Sequence, residues 1–302
     1  MVGCWAGGLV DWYYCTPTDQ PTNTLTQQPT NTLTRQPTNT LTHYQCPEKD
    51  CDMHIHNQQQ KAFYDTFYEE GRTHADKKVL EGIKDYFIHR FLDRAIAKKN
   101  PRVLEIGCGD GLLTGYLLAR NLHVCAVDLS PAAIERLKVT FRPYVESGQL
   151  EAKCGDIVTF LANRSEKFDL IIGSGIIHHI DKKEWPSLFS ALYGGLNECG
   201  ILACGPEPNA NWPYSMVWPL APWIYNTIYQ IPYDWEVEKG TMNMKSKALL
   251  GHLRSAGFSR SDITPFHMIP HFSLPLLAQL DRKLVEFMSG RLAMYTIVEA
   301  QK

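Results

Sequence analysis

Three glycines at alternate positions mark the run EIGCGDG, residues 105–111, which directly follows the apolar residues Val103 and Leu104. Glycine lets the backbone turn sharply and approach a ligand closely, because it carries no Cβ. The spacing departs from the dinucleotide fingerprint G-x-G-x-x-G, since Leu112 stands where that fingerprint requires its third glycine. Glu105, two positions before the first glycine, is also unlike that pattern. The run therefore predicts a ligand-binding turn and disfavours a nicotinamide-dependent oxidoreductase.

A carboxylate stands at the end of the next apolar segment, 124–127. Asp128 follows that segment and lies 17 residues after Gly111. An aspartate at the tip of a second parallel strand can accept two hydrogen bonds from ribose hydroxyls. An aspartate before Ser-Pro is by itself an ordinary turn residue. Together with the glycines it predicts a site for a nucleoside.

Two further strand-like segments, 150–154 and 168–172, end in polar or small residues. Asp156 and Ile157 follow the first, and they fit either an adenine contact or a helix start with aspartate as the N-cap. Ser174 follows the second and is expected to face the crevice where ligands bind in such sheets. Asp169 is expected to hold the strand in place rather than to react.

Short apolar or β-branched segments alternate with amphipathic ones along the chain from residue 58 onward. Such alternation is typical of βαβ units and predicts a mostly parallel sheet. The predicted strands are 103–106, 124–127, 150–154, 170–172, 201–204, 262–265 and 293–298. The predicted helices are 58–71, 76–98, 111–120, 131–142, 183–196, 247–256 and 275–288. Ser130 and Pro131 are the expected N-cap and first residue of the helix 131–142.

Residues 58–206 resemble the class I S-adenosylmethionine (SAM)-dependent methyltransferases. The matching runs are EIGCGDG (105–111), VDLS (127–130), CGDI (154–157), FDLIIGSGIIHHI (168–180) and ILACGPEP (201–208). The resemblance implies an α/β, Rossmann-like fold with a seven-stranded, mostly parallel sheet, one antiparallel strand and helices on both faces. It also implies SAM as the cofactor. The later part of the chain, from GPEPN (205–209) through a helix and PFH (265–267) to a closing strand, looks like bacterial small-molecule methyltransferases of quinone-type or glycan-cluster character.

The resemblance implies a set of cofactor contacts. The turn at residues 107–111, here called the glycine turn, would lie by the methionine part and the sulfonium of SAM. The tip of the second strand would lie by the ribose. The residues after the third strand would hold the adenine, and Ser174 would lie near the transferred methyl. The implied contacts are Tyr64, Glu105, Gly107, Gly109, Asp128, Leu129, Asp156, Ile157 and Ser174. Tyr68 is the alternative to Tyr64 for closing over the methionyl group.

Adjacent histidines follow the fourth predicted strand, which abuts the methyl in this fold. A hydroxyl acceptor must lose a proton, and histidine suits that task near neutral pH. We expect His179 to be the catalytic base, because relatives often keep a histidine at that place, and His178 is the second candidate. His267 and His271 are further candidates. A histidine that caps the next helix or bonds to the backbone, with orientation alone driving transfer, is the competing interpretation.

Two inserts, 207–243 and 268–290, depart from the minimal fold. The first holds eight aromatic residues, and its residues 208–233 carry no charge. We expect a helical and aromatic lid, an apolar or aromatic acceptor, and peripheral membrane or lipid contact through 212–232. Packing against the N-terminal helices and a dimer face are the alternatives. Prolines interrupt the segment, so we do not expect a membrane-spanning helix.

The N-terminal residues 1–52 contain three QPTNTLT repeats. Each repeat has one leucine and one proline, too little apolar surface to offset backbone entropy, and predicts a disordered, low-complexity tail. The globular domain is expected over 53–302, and Met53 is a plausible alternative start. No metal site is expected, because the spacing of Cys46, Cys51, His54 and His56 matches no common zinc site.

The formal net charge of −2 argues against nucleic acid as a partner. The chain has nine cysteines, and we expect buried, reduced thiols at Cys108, Cys125, Cys154, Cys199 and Cys204, which indicates a reducing cytoplasm. The predicted function is SAM-dependent methyl transfer to an O, N or C atom of a small acceptor. An RNA or protein methyltransferase is the main alternative, but the Asp/Asn-Pro-Pro-aromatic motif is absent after strand four, and a non-catalytic binding module remains a further one.

Overall fold

The computed structural model describes residues 55–70, 100–209, 245–266 and 295–302, and the single positions 220, 223, 227, 280, 283, 284 and 293. The chain divides into two units, 1–44 and 45–302, and every described residue belongs to the second. The repeats and the helix predicted over 76–98 lie outside the described residues. Nearly all of the two predicted inserts lie outside them as well.

Seven strands form one sheet in the order β3-β2-β1-β4-β5-β7-β6. The strands are β1 Arg102–Ile106, β2 His123–Asp128, β3 Leu150–Cys154, β4 Phe168–Gly173, β5 Leu196–Pro208, β6 Arg260–Phe266 and β7 Tyr295–Gln301. Strand β7 is antiparallel to both of its neighbours, β5 and β6, whereas the other pairs are parallel. The predicted seven-stranded, mostly parallel sheet with one antiparallel strand is confirmed.

Helices cover both faces of this sheet. They are α1 Ile55–Glu69, α2 Leu112–Leu118, α3 Pro131–Thr140, α4 Arg142–Glu146, α5 Ile157–Ala162, α6 Trp185–Gly195 and α7 Ser246–Ala256. Side chains alternate along each strand, so Val103 packs with α2 and α3 while its neighbour Leu104 packs with α6 and α7. Both faces are therefore buried, as parallel sheets require.

The start of α3 is as the sequence predicts. Ser130 is the N-cap, and its hydroxyl accepts a hydrogen bond from the amide of Ala133 at 3.1 Å. Pro131 takes the first helical position, where the missing amide proton is not needed. The short helix α4 was not predicted, and α5 was anticipated only as one interpretation of Asp156, because five or six residues are too few to show a helical period.

The cysteine prediction is wrong at two positions. Cys108, Cys125 and Cys204 are buried, but Cys154 is half-buried and Cys199 is exposed. Phe168 and Leu170 of β4 pair with Leu196 and Ile201 of β5, so residues 197–200 bulge out of the ladder. Cys199 stands in this bulge with a φ of 62°, and its side chain therefore leaves the core.

Candidate functional site

The glycine turn connects β1 to α2 and is fastened to β2. The amide of Gly107 donates to the carbonyl of Val127 at 2.8 Å. Gly107 and Gly109 have φ values of 64° and 52°, in the left-handed region that favours glycine. A Cβ on Gly107 would lie 2.6 Å from Cδ1 of Ile176, and one on Gly109 would lie 2.5 Å from the phenolic oxygen of Tyr68. Both glycines are therefore required by backbone conformation and by space.

The structure brings Asp128 to this turn, as the sequence predicts. One carboxylate oxygen accepts from the amide of Gly109 at 2.8 Å, and the other accepts from the amide of Ser130 at 2.9 Å. Burial raises the pKa of Asp128, and the nearby carboxylates of Asp65 and Asp110 raise it further, against the two backbone hydrogen bonds. Each carboxylate oxygen has a second lone pair, which leaves capacity to accept ligand hydroxyls.

Carboxylates dominate the surroundings of the turn. Glu105 is 1% exposed and accepts a hydrogen bond from the Thr114 hydroxyl at 2.6 Å. With Asp65, Asp110 and Asp128 it places several acidic groups around a backbone that only glycine can form. Negative charge of this kind favours a cationic ligand, and Asp128 suits ribose hydroxyls. The residues present therefore fit an adenosyl sulfonium such as SAM.

Helix α1 lies over the glycine turn and is tied to the start of α3. The Ser130 hydroxyl donates to the Asp65 carboxylate at 2.5 Å, and a guanidinium nitrogen of Arg136 donates to the carbonyl of Tyr68 at 3.2 Å. Tyr68 is 5% exposed, and its burial raises the pKa of the phenol well above its ordinary value. Of the two tyrosines, Tyr68 contacts the glycine turn, whereas Tyr64 contacts His179.

The residues predicted for the adenine lie at the ends of β2 and β3. The carboxylate of Asp156 accepts from the amide of Thr159 at 2.9 Å, so Asp156 is the N-cap of α5. Ile157 begins that helix and is half-buried, as is Leu129. The N-cap interpretation of Asp156 is thus correct, and an adenine contact by its second oxygen stays a prediction.

Asp169 ties together the starts of three neighbouring strands, in line with the expectation that it holds the strand in place. Its two carboxylate oxygens accept from the side-chain amide of Asn197 and from the backbone amide of Arg102, both at 2.9 Å. These bonds join β4 to β5 and β1 at the end of the sheet opposite the glycine turn. Asp169 therefore has a structural role.

The adjacent histidines lie in a single 3-10 turn, Ile177–His179, after β4. Their ring centroids are 4.0 Å apart. Nε2 of His179 is 3.3 Å from the hydroxyl of Tyr64, and the two rings meet edge to face. Nδ1 of His178 is 2.6 Å from a carboxylate oxygen of Glu207. Ser174, half-buried, directly follows β4 and lies three residues before this turn.

Glu207 is the site residue that sequence reasoning missed. Its side chain is 0% exposed, and it accepts hydrogen bonds from the backbone amides of Ile176, Ile177 and His178 at 3.0, 3.1 and 3.2 Å. Strand β5 pairs with β4 and runs past it to Pro208, which carries Glu207 to the turn. The signal that the sequence offered was an acidic residue between two prolines, shortly after the predicted strand 201–204.

Several sequence-based candidates fall outside the description. Cys46, Cys51, His54, His267 and His271 are not among the described residues. Within the described ranges, no group of three or more histidine, cysteine or acidic side chains is arranged to hold a metal ion. Among the helices of those same ranges, none combines the length and the hydropathy needed to cross a bilayer.

Comparison with known proteins agrees with this geometry. Residues 103–200 match the family model described as a methyltransferase domain. The ubiquinone biosynthesis O-methyltransferase of Xylella fastidiosa (strain 9a5c) is 31% identical over 108 residues, which are 35% of this chain and 42% of that protein. The malonyl-[acyl-carrier protein] O-methyltransferase 1 of Ilyobacter polytropus is 29% identical over 142 residues, 46% of each chain. The chain thus spans less than half the length of these curated relatives.

Among solved structures, the [4+2]-cyclase SpnF superposes with a TM-score of 0.54 at 16% identity, covering 81% of this chain and 96% of that one. At this identity the likeness shows the fold alone. The family match covers β1 to the bulge of β5, the part of the chain that holds the glycine turn, Asp128 and both histidines. These matches support a class I SAM-dependent methyltransferase domain over residues 103–200, about a third of the chain.

Proposed function

We propose that this chain transfers the methyl group of SAM to a hydroxyl oxygen of a small, apolar or aromatic acceptor. The observation that supports the proposal is a continuous series of contacts from Asp128 to the histidines. Asp128 bonds to Gly109, Gly109 meets Tyr68, and the Tyr68 ring stacks 6.3 Å from the ring of Tyr64. Tyr64 in turn contacts His179. A nucleoside-binding turn and a proton acceptor thus share one site.

The donor side is assigned to residues at the ends of β1, β2 and β3. When bound, SAM supplies a methyl group already activated by its sulfonium charge. Gly107 and Gly109 let the backbone approach it, Asp128 accepts the ribose hydroxyls, and Glu105 contributes negative charge. The remaining proposed contacts are Leu129, Asp156, Ile157, Ser174 and, from α1, Tyr64 with Tyr68.

The acceptor side is assigned to the histidine turn. An acceptor hydroxyl must lose its proton as its oxygen bonds to carbon, and an imidazole is suited to take it near neutral pH. Tyr64 and Tyr68 lie beside the site on α1, and the Tyr64 ring meets the His179 ring edge to face. The oxygen acceptor is inferred from these histidines and from the two O-methyltransferase relatives. The segment 207–243 is proposed, from its sequence, to supply the apolar wall.

Calorimetry with SAM, its demethylated product S-adenosylhomocysteine and NAD tests the donor side. We expect both adenosyl compounds to bind and NAD not to bind. Incubation with methyl-labelled SAM and a catechol that carries a short prenyl chain, or a malonyl thioester, tests the acceptor side. Asp128→Ala is expected to abolish donor binding, and Asp169→Ala, at the opposite end of the strands, is the matched control. No affinity of the unaltered chain for either adenosyl compound would refute the proposal.

A further inference from the structure

We propose that Glu207 is a positioning residue that makes His178, rather than His179, the general base of this site. The proposal rests on the function proposed above and names the group that takes the proton. It starts from the 2.6 Å contact between Nδ1 of His178 and the Glu207 carboxylate. The two side chains are 9% and 0% exposed, so the contact is shielded from water.

Hydrogen-bond accounting assigns the tautomer of His178. The carboxylate of Glu207 accepts from three backbone amides, and an amide can only donate. An ionised carboxylate can only accept, so with Glu207 ionised the His178 ring is a fourth donor and its hydrogen lies on Nδ1. In a neutral imidazole the other nitrogen, Nε2, then carries the lone pair. Glu207 thus leaves Nε2 of His178 as the atom that can accept a proton.

Glu207 also stabilises the product of that step. Once Nε2 takes a proton, the ring becomes a cation, and the buried carboxylate lies in direct contact with it. The same carboxylate fixes the turn that carries the ring, because its backbone donors Ile176 and Ile177 precede His178. Charge and orientation are therefore supplied by one side chain.

The contact of His179 with Tyr64 does not fix its tautomer as Glu207 fixes that of His178. Its Nε2 lies 3.3 Å from the Tyr64 hydroxyl, a group that can donate to it or accept from it, so its tautomer is not fixed by this contact. The His178 ring also lies closer to the end of β4, since a Cβ on Gly175 would be 3.6 Å from its Cε1. The titratable groups that contact the two rings include Glu207 from β5 and Tyr64 from α1.

The proposed step balances as follows. The hydroxyl O–H bond of the acceptor breaks and its proton goes to Nε2 of His178. The acceptor oxygen forms a bond to the methyl carbon, and the carbon–sulfur bond breaks with its electron pair left on sulfur. The sulfonium charge is thereby lost, and the new positive charge lies on the His178 ring beside Glu207. Release of that proton to solvent restores the neutral ring.

Histidine tautomers are read directly by nitrogen NMR of the labelled full chain, without any ligand. The ring-nitrogen signals of His178 are assigned as those that disappear in His178→Asn. We expect them to show the proton on Nδ1. In Glu207→Gln the new amide can donate to Nδ1, and we expect the proton to move to Nε2. Glu198→Gln, on the same strand but 87% exposed, is the control and should leave the spectrum unchanged. A His178 protonated on Nε2 in the unaltered chain would overturn the proposal.

A double-mutant cycle separates positioning from a purely structural role. With the prenyl catechol as the probe, we expect His178→Ala and Glu207→Gln each to lower kcat about 10²–10⁴-fold. The double variant should be no slower than His178→Ala, since Glu207 acts through that ring. Affinity for S-adenosylhomocysteine should stay within about threefold. If kcat of the double variant falls below that of His178→Ala, Glu207 has a structural role and the proposal is wrong. If the unaltered chain does not bind S-adenosylhomocysteine, the proposed function itself is refuted.

Discussion

The hydroxyl of Tyr64 lies 3.3 Å from Nε2 of His179, and this contact joins helix α1 to the turn that follows β4. Residues 115 positions apart in the chain thus meet at one site. On one side of the contact stand the glycine turn and Asp128, and on the other stand His178 and Glu207. Helix α1 is therefore a shared wall of the donor and acceptor sides, and changes on it should affect the two sides differently.

Tyr64→Phe removes the hydroxyl and keeps the ring. A neutral hydrogen bond contributes about 0.5–1.5 kcal/mol, so we expect an effect of about 2- to 12-fold. The effect should fall on the KM of the acceptor, because the hydroxyl contacts His179 and not the glycine turn. Affinity for S-adenosylhomocysteine should change by less than about twofold, because the Tyr64 ring, which stacks on Tyr68 beside the donor side, is kept. Tyr144→Phe, on α4, is the control, and an equal effect of both variants would contradict the assignment.

Gly109→Ala tests the close approach of the turn to α1. Its φ of 52° and the 2.5 Å separation between an added Cβ and the Tyr68 oxygen predict strain of about 1–3 kcal/mol. We expect denaturant unfolding to show that loss, together with weaker binding of S-adenosylhomocysteine. Adding Tyr68→Phe should restore part of the stability, since the clashing oxygen is gone.

Gly194→Ala is the matched control for this change. Gly194 lies in α6, and an added Cβ would meet nothing within 4 Å. Alanine is favoured over glycine inside a helix, so this variant should gain up to about 1 kcal/mol. A stability loss at Gly194 as large as that at Gly109 would show that the method does not separate strain at the turn from a general effect of the substitution.

How much of this site could be predicted from sequence depends on how local each part is. The turn at Gly107 and the cap at Ser130 are set by neighbouring residues, and both were predicted. Tyr64 and Tyr68 are one helical turn apart on the same face, so sequence could not tell which meets the turn and which meets the histidines. Glu207 reaches His178 only because β4 and β5 pair in a particular register, and that register is not a local property.

Ser130→Ala should remove two interactions together. The hydroxyl caps α3 and also donates to Asp65, which ties α1 to that helix. Loss of an N-cap costs about 0.5–2 kcal/mol, and the lost tie should place the result in the upper part of that range. Thermal or denaturant unfolding measures it. The control is Ser187→Ala, which removes an exposed hydroxyl that donates to the carbonyl of Glu184 at the start of its own helix. This variant should change stability by no more than about 0.5 kcal/mol.

Donor binding should weaken in mild acid because of Asp128. Burial raises the pKa of its carboxyl in the free chain, and hydroxyl donors from a nucleoside favour the ionised form, so binding lowers that pKa. Binding then releases a proton, and affinity rises with pH up to the free-state pKa. Below that pKa it should fall by at most about tenfold per pH unit.

Calorimetry with S-adenosylhomocysteine in buffers of different ionisation enthalpy counts the released proton. Asp128→Asn removes the titrating group, and we expect its weaker binding to show a flatter pH dependence. Asp65→Asn should shift the loss of affinity to lower pH, because the Asp65 charge helps to raise the pKa of Asp128. Equal pH profiles for the unaltered chain and Asp128→Asn would assign the titration to another group.

The need for a base should depend on the chemistry of the acceptor. A catechol hydroxyl is protonated near neutral pH, so its methylation requires His178 and should fall about 10²–10⁴-fold in His178→Ala. The carboxyl group of a malonyl thioester is already ionised at that pH and presents a lone pair without losing a proton. With that acceptor, His178→Ala should leave kcat within about threefold, provided the compound is methylated at all. Comparable losses with both acceptors would mean that His178 orients the acceptor and does not take its proton.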